Sequence, residues 1–166
     1  MSSGPAPDRT AFESLYRARF GGFLRVATAI AGDVERGRDA VHEGFARAIR
    51  HRLEYRGEGS LEAWVWPAVL NAARKGRPRE GPLLSVEEVP AAASAANGAP
   101  RSDSDLRERI AALPERQRLT LFLRYYADLD YAAISQILGI SSGTVGATIH
   151  AAHATLRRAL EEVARD

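Results

Sequence analysis

The chain has 166 residues, enough for one ordinary domain or two very small ones and too few for a large catalytic scaffold. It contains no cysteine, which excludes disulfides and thiolate-ligated zinc, and its 45% hydrophobic content excludes disorder throughout. The net charge is only +2, yet 22 of the 23 basic residues are arginine, a bias towards phosphate partners.

In chain order, the start MSSGPAPDRT lacks the apolar core of a signal peptide, and no apolar run approaches the roughly 18 residues that span a bilayer. A cytoplasmic protein without membrane insertion is expected. Thr10-Ala-Phe-Glu13 reads as a capping box for a helix over about 11–31, with Phe12, Leu15, Tyr16, Phe20, Phe23, Leu24, Ala27 and Ile30 at helical spacing. Gly32-Asp33 stops that helix and caps a second over about 34–52, striped by Ala40, Val41, Phe45, Ala48 and Ile49. Ser60 is the expected N-cap of a third helix through Trp64, Val65 and Val69, which Pro67 should kink or restart.

Residues 80–105 are rich in Ala, Ser, Pro and Gly, hold five acids and one arginine, and show neither periodicity, as in an acidic flexible linker. Beyond it a helix is expected from Leu106 to Leu113, another from Pro114, and a short one over Tyr131 to Leu138 capped by Asp130. Gly139-Ile140-Ser141 then makes a turn into a last helix carrying Val145, Ile149, Leu156 and Leu160, in the order helix, glycine turn, helix. The expected architecture is all-α: two small helical domains, residues 9–79 and 106–166, joined by the linker. Charge divides unevenly between them. Residues 9–79 hold 14 basic and 8 acidic side chains, whereas Tyr131 to Leu156 contain no Asp, Glu, Lys or Arg.

Two segments, DAVHEGFARAIR followed by EYRGEGSLEAW, and ALPERQRLTLFLRYYADLDYAAISQILGISSGTV, stand in the order found in one family. The chain resembles an extracytoplasmic-function sigma factor, with residues 11–79 similar to sigma region 2 and residues 106–160 similar to region 4. The resemblance implies a transcription initiation factor that binds core RNA polymerase and promoter DNA, meeting the −10 element with region 2 and the −35 element with region 4. An anti-sigma factor is a further implied partner.

Carried over residue by residue, the resemblance implies polymerase docking by Asp39, His42, Glu43, Phe45 and Arg47, with His42 in place of the family's usual glutamine. It implies contact with the opened −10 strand by Arg56, Trp66, Asn71, Arg74, Lys75, Arg77 and Arg79. Of these, Asn71 matches an asparagine that meets an extruded base, an amide being able to pair with a base edge. Trp64 is expected in the core, while Trp66 has two readings, stacking on a base or filling the core. Pro67 departs from the family, and the basic cluster after Asn71 suits phosphates without reading sequence.

In the recognition helix the family's four basic positions are Gly146, Thr148, Ala151 and His153. Ser142, Thr144, Thr148, His150 and Arg157 remain as −35 contacts, and recognition there should be weak or altered. His150 and His153 stand three apart with no cysteine or carboxylate nearby, so neither a metal nor any other cofactor is expected. There is no P-loop and no Ser, His, Asp arrangement of diagnostic spacing, and an enzyme is not expected. The alternative to an initiation factor is a non-initiating mimic that titrates an anti-sigma factor or occupies polymerase.

Overall fold

The computed structural model describes residues 5–76 and 102–165, with the side chains of 102–104 excepted. The expected Arg77 and Arg79 contacts and nearly all of the expected linker lie outside the described residues. Among those described are seven α-helices and no strand.

The first helix, α1, spans Arg9–Ala31. Its N-cap is Asp8, whose Oδ1 accepts from the Ala11 amide at 2.8 Å. The Thr10 capping box does not form, because Asp8 already occupies that role and Glu13 pairs with Arg17 instead at 2.7 Å. Gly32 closes α1 in the left-handed region, φ 98°, and Asp33 caps α2, Val34–Arg50. A 3-10 turn at Arg52–Glu54 leads to α3, Leu61–Gly76, where Ser60 Oγ accepts from the Ala63 amide at 3.0 Å. Contrary to the expected restart, α3 runs through Pro67 as one helix. Burial of Val65, Trp66, Val69 and Leu70 on either side of the proline holds the two turns in register despite the lost hydrogen bond.

The rear of the chain contains α4, Ser102–Ala112, α5, Glu115–Tyr125, α6, Tyr131–Leu138, and α7, Ser142–Arg165. Helix α4 thus begins four residues before the expected Leu106. Asp130 Oδ1 caps α6 through the Ala133 amide at 2.8 Å, Gly139 takes φ 67°, and Ser141 Oγ accepts from the Thr144 amide at 3.1 Å. These local bonds build the helix-turn-helix.

Helices α1, α2 and α3 pack around Phe23, Phe45, Trp66 and Val69, with the Phe23 and Trp66 rings stacked at 4.2 Å between centroids. Helices α5, α6 and α7 enclose Leu119, Leu123, Ile134, Val145 and Ile149. The front and rear helices are in contact, α3 against α6 and α1 against α5. Arg25 Nε donates to the Tyr126 carbonyl at 2.8 Å, and Arg19 Nη2 donates to the Ala127 carbonyl. Both carbonyls lie just beyond α5, where cations complement the helix dipole. Arg74 Nε reaches Glu115 Oε1 at 2.9 Å.

Helices α2 and α3 approach closely. A Cβ on Gly44 would stand 2.5 Å from Val69 Cγ2 and 2.7 Å from Val69 Cα, so only glycine permits the approach. Gly44→Ala should therefore destabilise by about 1–3 kcal/mol, the usual range for overpacking. Gly146→Ala should do the opposite: its Cβ would meet the Tyr131 ring at an ordinary 3.4 Å, and replacing a helix-interior glycine gains about 1 kcal/mol. Thermal denaturation of both variants should move the midpoint in opposite directions.

Candidate nucleic-acid interface

Helix α2 presents Asp39, His42, Glu43 and Arg47 to solvent. Two of them are held in place: His42 Nε2 shares a 2.9 Å hydrogen bond with Tyr16 Oη, and Glu43 pairs with Arg50 at 3.3 Å. Phe45, expected on the same face, is buried. It packs edge-on against Tyr16 and Phe23, with centroids 5.2 and 5.1 Å away, and cannot touch a partner. The helical period turns it inward while its neighbours face out.

Where the end of α2 faces the middle of α3 there is a cavity of about 270 Å³, walled by Arg47, His51, Glu54, Trp64, Pro67 and Asn71 among others. Asn71 is exposed, and its Oδ1 accepts from Arg74 Nη1 at 3.3 Å. The amide nitrogen remains as the donor it can offer a ligand. Pro67 does not deflect Asn71 from this site; it forms part of the wall.

Of the two readings for Trp66, stacking on a base or filling the core, the second holds. Trp66, a candidate for base stacking, is fully buried, lies on Phe23 and donates its Nε1 to Glu62 Oε1 at 3.3 Å. No base can reach it. Trp64, expected in the core, is half-buried, meets Tyr55 edge-on at 5.5 Å, and lines the cavity. Both stand on one apolar run, and hydrophobicity alone does not reveal which of two aromatics two residues apart faces inward.

Arg56 and Lys75 are exposed, whereas Arg74 is engaged by Glu115 and Asn71. The wall residues His51 and Glu54 were not among the expected contacts. Their spacing of three was the available signal, and their side chains bond at 2.8 Å.

The helix-turn-helix presents a different surface. Ser142, Thr144, His150 and Arg157 are exposed and Thr148 is half-buried. The hydroxyls are partly used within the helix: Thr148 Oγ1 donates to the Thr144 carbonyl at 2.7 Å, and Thr144 Oγ1 meets Ser141 Oγ at 2.8 Å. His153 is bonded to Tyr125 Oη at 3.1 Å. Arg157 stands beyond the turn-proximal end of α7, beside an apolar groove with Leu106, Leu156 and Leu160. Among the described residues no group of three His, Cys, Asp or Glu is placed to hold a metal, and no single described helix is long and apolar enough to cross a membrane.

The structure is thus a helix-turn-helix in contact with a three-helix unit that bears a polar cavity. Residues 103–156 match the family described as Sigma-70, region 4, and curated relatives that align over 90% or more of the chain are RNA polymerase sigma factors. The chain as a whole is similar to extracytoplasmic-function sigma factors. It is 23% identical to the RNA polymerase sigma-H factor of Pseudomonas aeruginosa over 96% of this chain and 91% of that one. It is 26% identical to the ECF RNA polymerase sigma factor SigM of Mycobacterium tuberculosis, over 96% and 82%, and 27% identical to the RNA polymerase sigma-E factor of Streptomyces coelicolor, over 93% and 88%.

The fold is shared with CnrH, solved in complex with the cytosolic domain of CnrY, at TM-score 0.69 and 16% identity, covering 93% of this chain and 90% of that one. It is also shared with the sigma factor RpoE of Bartonella quintana, solved with the anti-sigma factor NepR, at TM-score 0.64 and 16% identity, covering 90% and 96%.

The tryptophan placement has a spectroscopic consequence. With Trp66→Phe, the remaining Trp64 should be quenched readily by acrylamide. With Trp64→Phe, the buried Trp66 should be quenched several-fold less.

Proposed function

We propose that this sigma factor binds core RNA polymerase through the exposed Asp39, His42, Glu43 and Arg47 face of α2 and engages the opened −10 strand at the Asn71 cavity, with weak recognition of the −35 element. In this reading residues 9–79 and 106–166 are the two functional units, joined by 80–105. The observation that carries it is the position of Asn71: an exposed amide on the wall of a cavity, on a chain that aligns with sigma factors along nearly all its length. An amide beside an aromatic wall suits a base extruded from the stack. Arg56 and Lys75 supply phosphate contacts that orient the strand without reading it, while Arg74 holds the Asn71 amide.

Weak −35 recognition follows from the outward face of α7. Ser142, Thr144, Ala147, His150 and Ala151 are exposed there and none is Lys or Arg. Each absent phosphate contact removes nearly one unit of salt slope, and each absent bidentate base contact about 1–3 kcal/mol of discrimination. Asp39, Glu43 and Arg47 are separated by four residues each and form one polar stripe suited to a helical partner surface. An anti-sigma factor is a second proposed partner, since CnrH and RpoE, which share the fold, are each seen with a partner of that kind or with a cytosolic domain.

Transcription reconstituted with core polymerase tests the reading. Scrambling the −35 element of a promoter found by run-off transcription of genomic DNA should change output less than about threefold, within the weight of one base contact; a loss of a hundredfold would sink the weak-recognition claim. Asn71→Ala should reduce transcription by about tenfold, the lower part of the range for one base contact. If Asn71→Ala and Arg74→Ala both leave the protein's effect on polymerase intact, it acts as a mimic and not as an initiation factor. Lys75→Ala should lower the salt slope of binding to single-stranded −10 DNA by about 0.7.

A further inference from the structure

Tyr16 of α1 and His42 of α2 share a 2.9 Å hydrogen bond between the phenol oxygen and Nε2, and their rings lie nearly parallel, at 26°. Tyr16 is half-buried and His42 exposed, so the bond ties a side chain seated on the core to one that faces solvent. The seat is firm. The Tyr16 ring meets the buried Phe45 edge-on, with centroids 5.2 Å apart, and packs on Phe20 at 4.9 Å. Two aromatic neighbours fix the direction of the phenol, and the phenol in turn fixes the imidazole.

A neutral imidazole carries a proton on one nitrogen and none on the other, and the bond made by one nitrogen decides which is which. A phenol oxygen shares its lone pair with the ring and accepts poorly, whereas a bare imidazole nitrogen accepts well. The favoured arrangement therefore has Tyr16 Oη donating to His42 Nε2, which leaves the proton on Nδ1. That N–H is unspent: among the described residues Nδ1 has no partner. Its exposed neighbours on α2 are of the opposite kind. Asp39, three residues before, and Glu43, one after, are carboxylates that only accept when ionised.

We propose that Tyr16 is a positioning residue for the polymerase-binding face, holding His42 as the Nδ1–H tautomer so that position 42 offers a hydrogen-bond donor between two carboxylates. The polymerase surface opposite then carries an acceptor at that point, a carbonyl or carboxylate oxygen, flanked by groups that donate. This deepens the α2 docking reading and rests on it. An unheld imidazole would divide itself between tautomers and ring orientations and give up that freedom on binding. The bond to Tyr16 makes the choice beforehand, and Tyr16 itself need not touch the partner.

Tyr16→Phe tests this, because it removes the hydroxyl and keeps a ring to pack on Phe20 and Phe45. In the full-length protein, binding to core polymerase should weaken by about three- to tenfold, the weight of one hydrogen bond. With His42→Gln as the background, where the amide supplies a donor without help from Tyr16, the same substitution should leave affinity unchanged. His42→Glu, which offers only acceptors when ionised, should bind more weakly than His42→Gln. Nitrogen NMR of the neutral His42 ring should find the proton on Nδ1 in the parent protein and a shift towards Nε2 in Tyr16→Phe.

A parent ring protonated on Nε2, or an equal loss from Tyr16→Phe with histidine and with glutamine at position 42, overturns the positioning role. His42→Glu binding as well as His42→Gln overturns the donor assigned to that position. The docking reading is judged separately by the triple variant Asp39→Ala, Glu43→Ala, Arg47→Ala. Unchanged polymerase affinity there overturns the docking face and the proposal that rests on it, whereas a loss there with no effect of Tyr16→Phe overturns the positioning role alone.

Discussion

The approach of α2 to α3 at Gly44 and Val69 governs the geometry of everything proposed for the front of this molecule. Backbone stands nearly against backbone there. The end of α2 and the middle of α3 then enclose the cavity of Arg47, His51, Trp64 and Asn71. The same crossing rotates α2 so that Phe45 faces Phe23 and the charged residues face water. A side chain larger than hydrogen at position 44 would push the walls apart as well as loosening the core, so stability and site geometry are tied to one atom.

The arginines show how a charge count changes meaning in three dimensions. The basic surplus of the front half suggests a surface made for phosphates, yet Arg19 and Arg25 are directed to the carbonyls after α5 and Arg74 is shared between Asn71 and Glu115. Part of the surplus therefore joins the front helices to the rear ones. The cations left to face solvent near the cavity are fewer and more localised than the total implies. The helix-turn-helix shows the converse: the exposed Ser142, Thr144, Ala147, His150 and Ala151 of α7 include no Lys or Arg.

Much of the architecture was legible because it rests on local chemistry. Asp33, Ser60, Asp130 and Ser141 cap their helices as their residue types and positions suggest, and Gly32 and Gly139 take the left-handed conformations that glycine favours. Thr10-x-x-Glu13 is the exception, since the capping-box pattern could not reveal that Asp8, two residues earlier, caps the helix first. Of the kink or restart expected at Pro67, the restart does not occur: a proline breaks a helix that stands alone, whereas α3 is clamped by buried residues before and after it. Trp66 takes the core reading of its two, and Trp64 packs on the core while only half-buried; both belong to an apolar stretch, and only the packing of α3 against α1 decides which ring meets Phe23.

The sequence by itself determined the helices and most of their ends, the helix-turn-helix, the absence of Lys and Arg from Tyr131 to Leu156 and the likeness to sigma factors, because caps, glycines and periodicity act over a few residues. Only the tertiary structure decided which residues form the site. Burial of Phe45 and Trp66, the opening between α2 and α3, and the capture of Arg19, Arg25 and Arg74 by partners 41 to 108 residues away all depend on how helices cross. That crossing is set by close packing between segments distant in the chain, which no local pattern encodes.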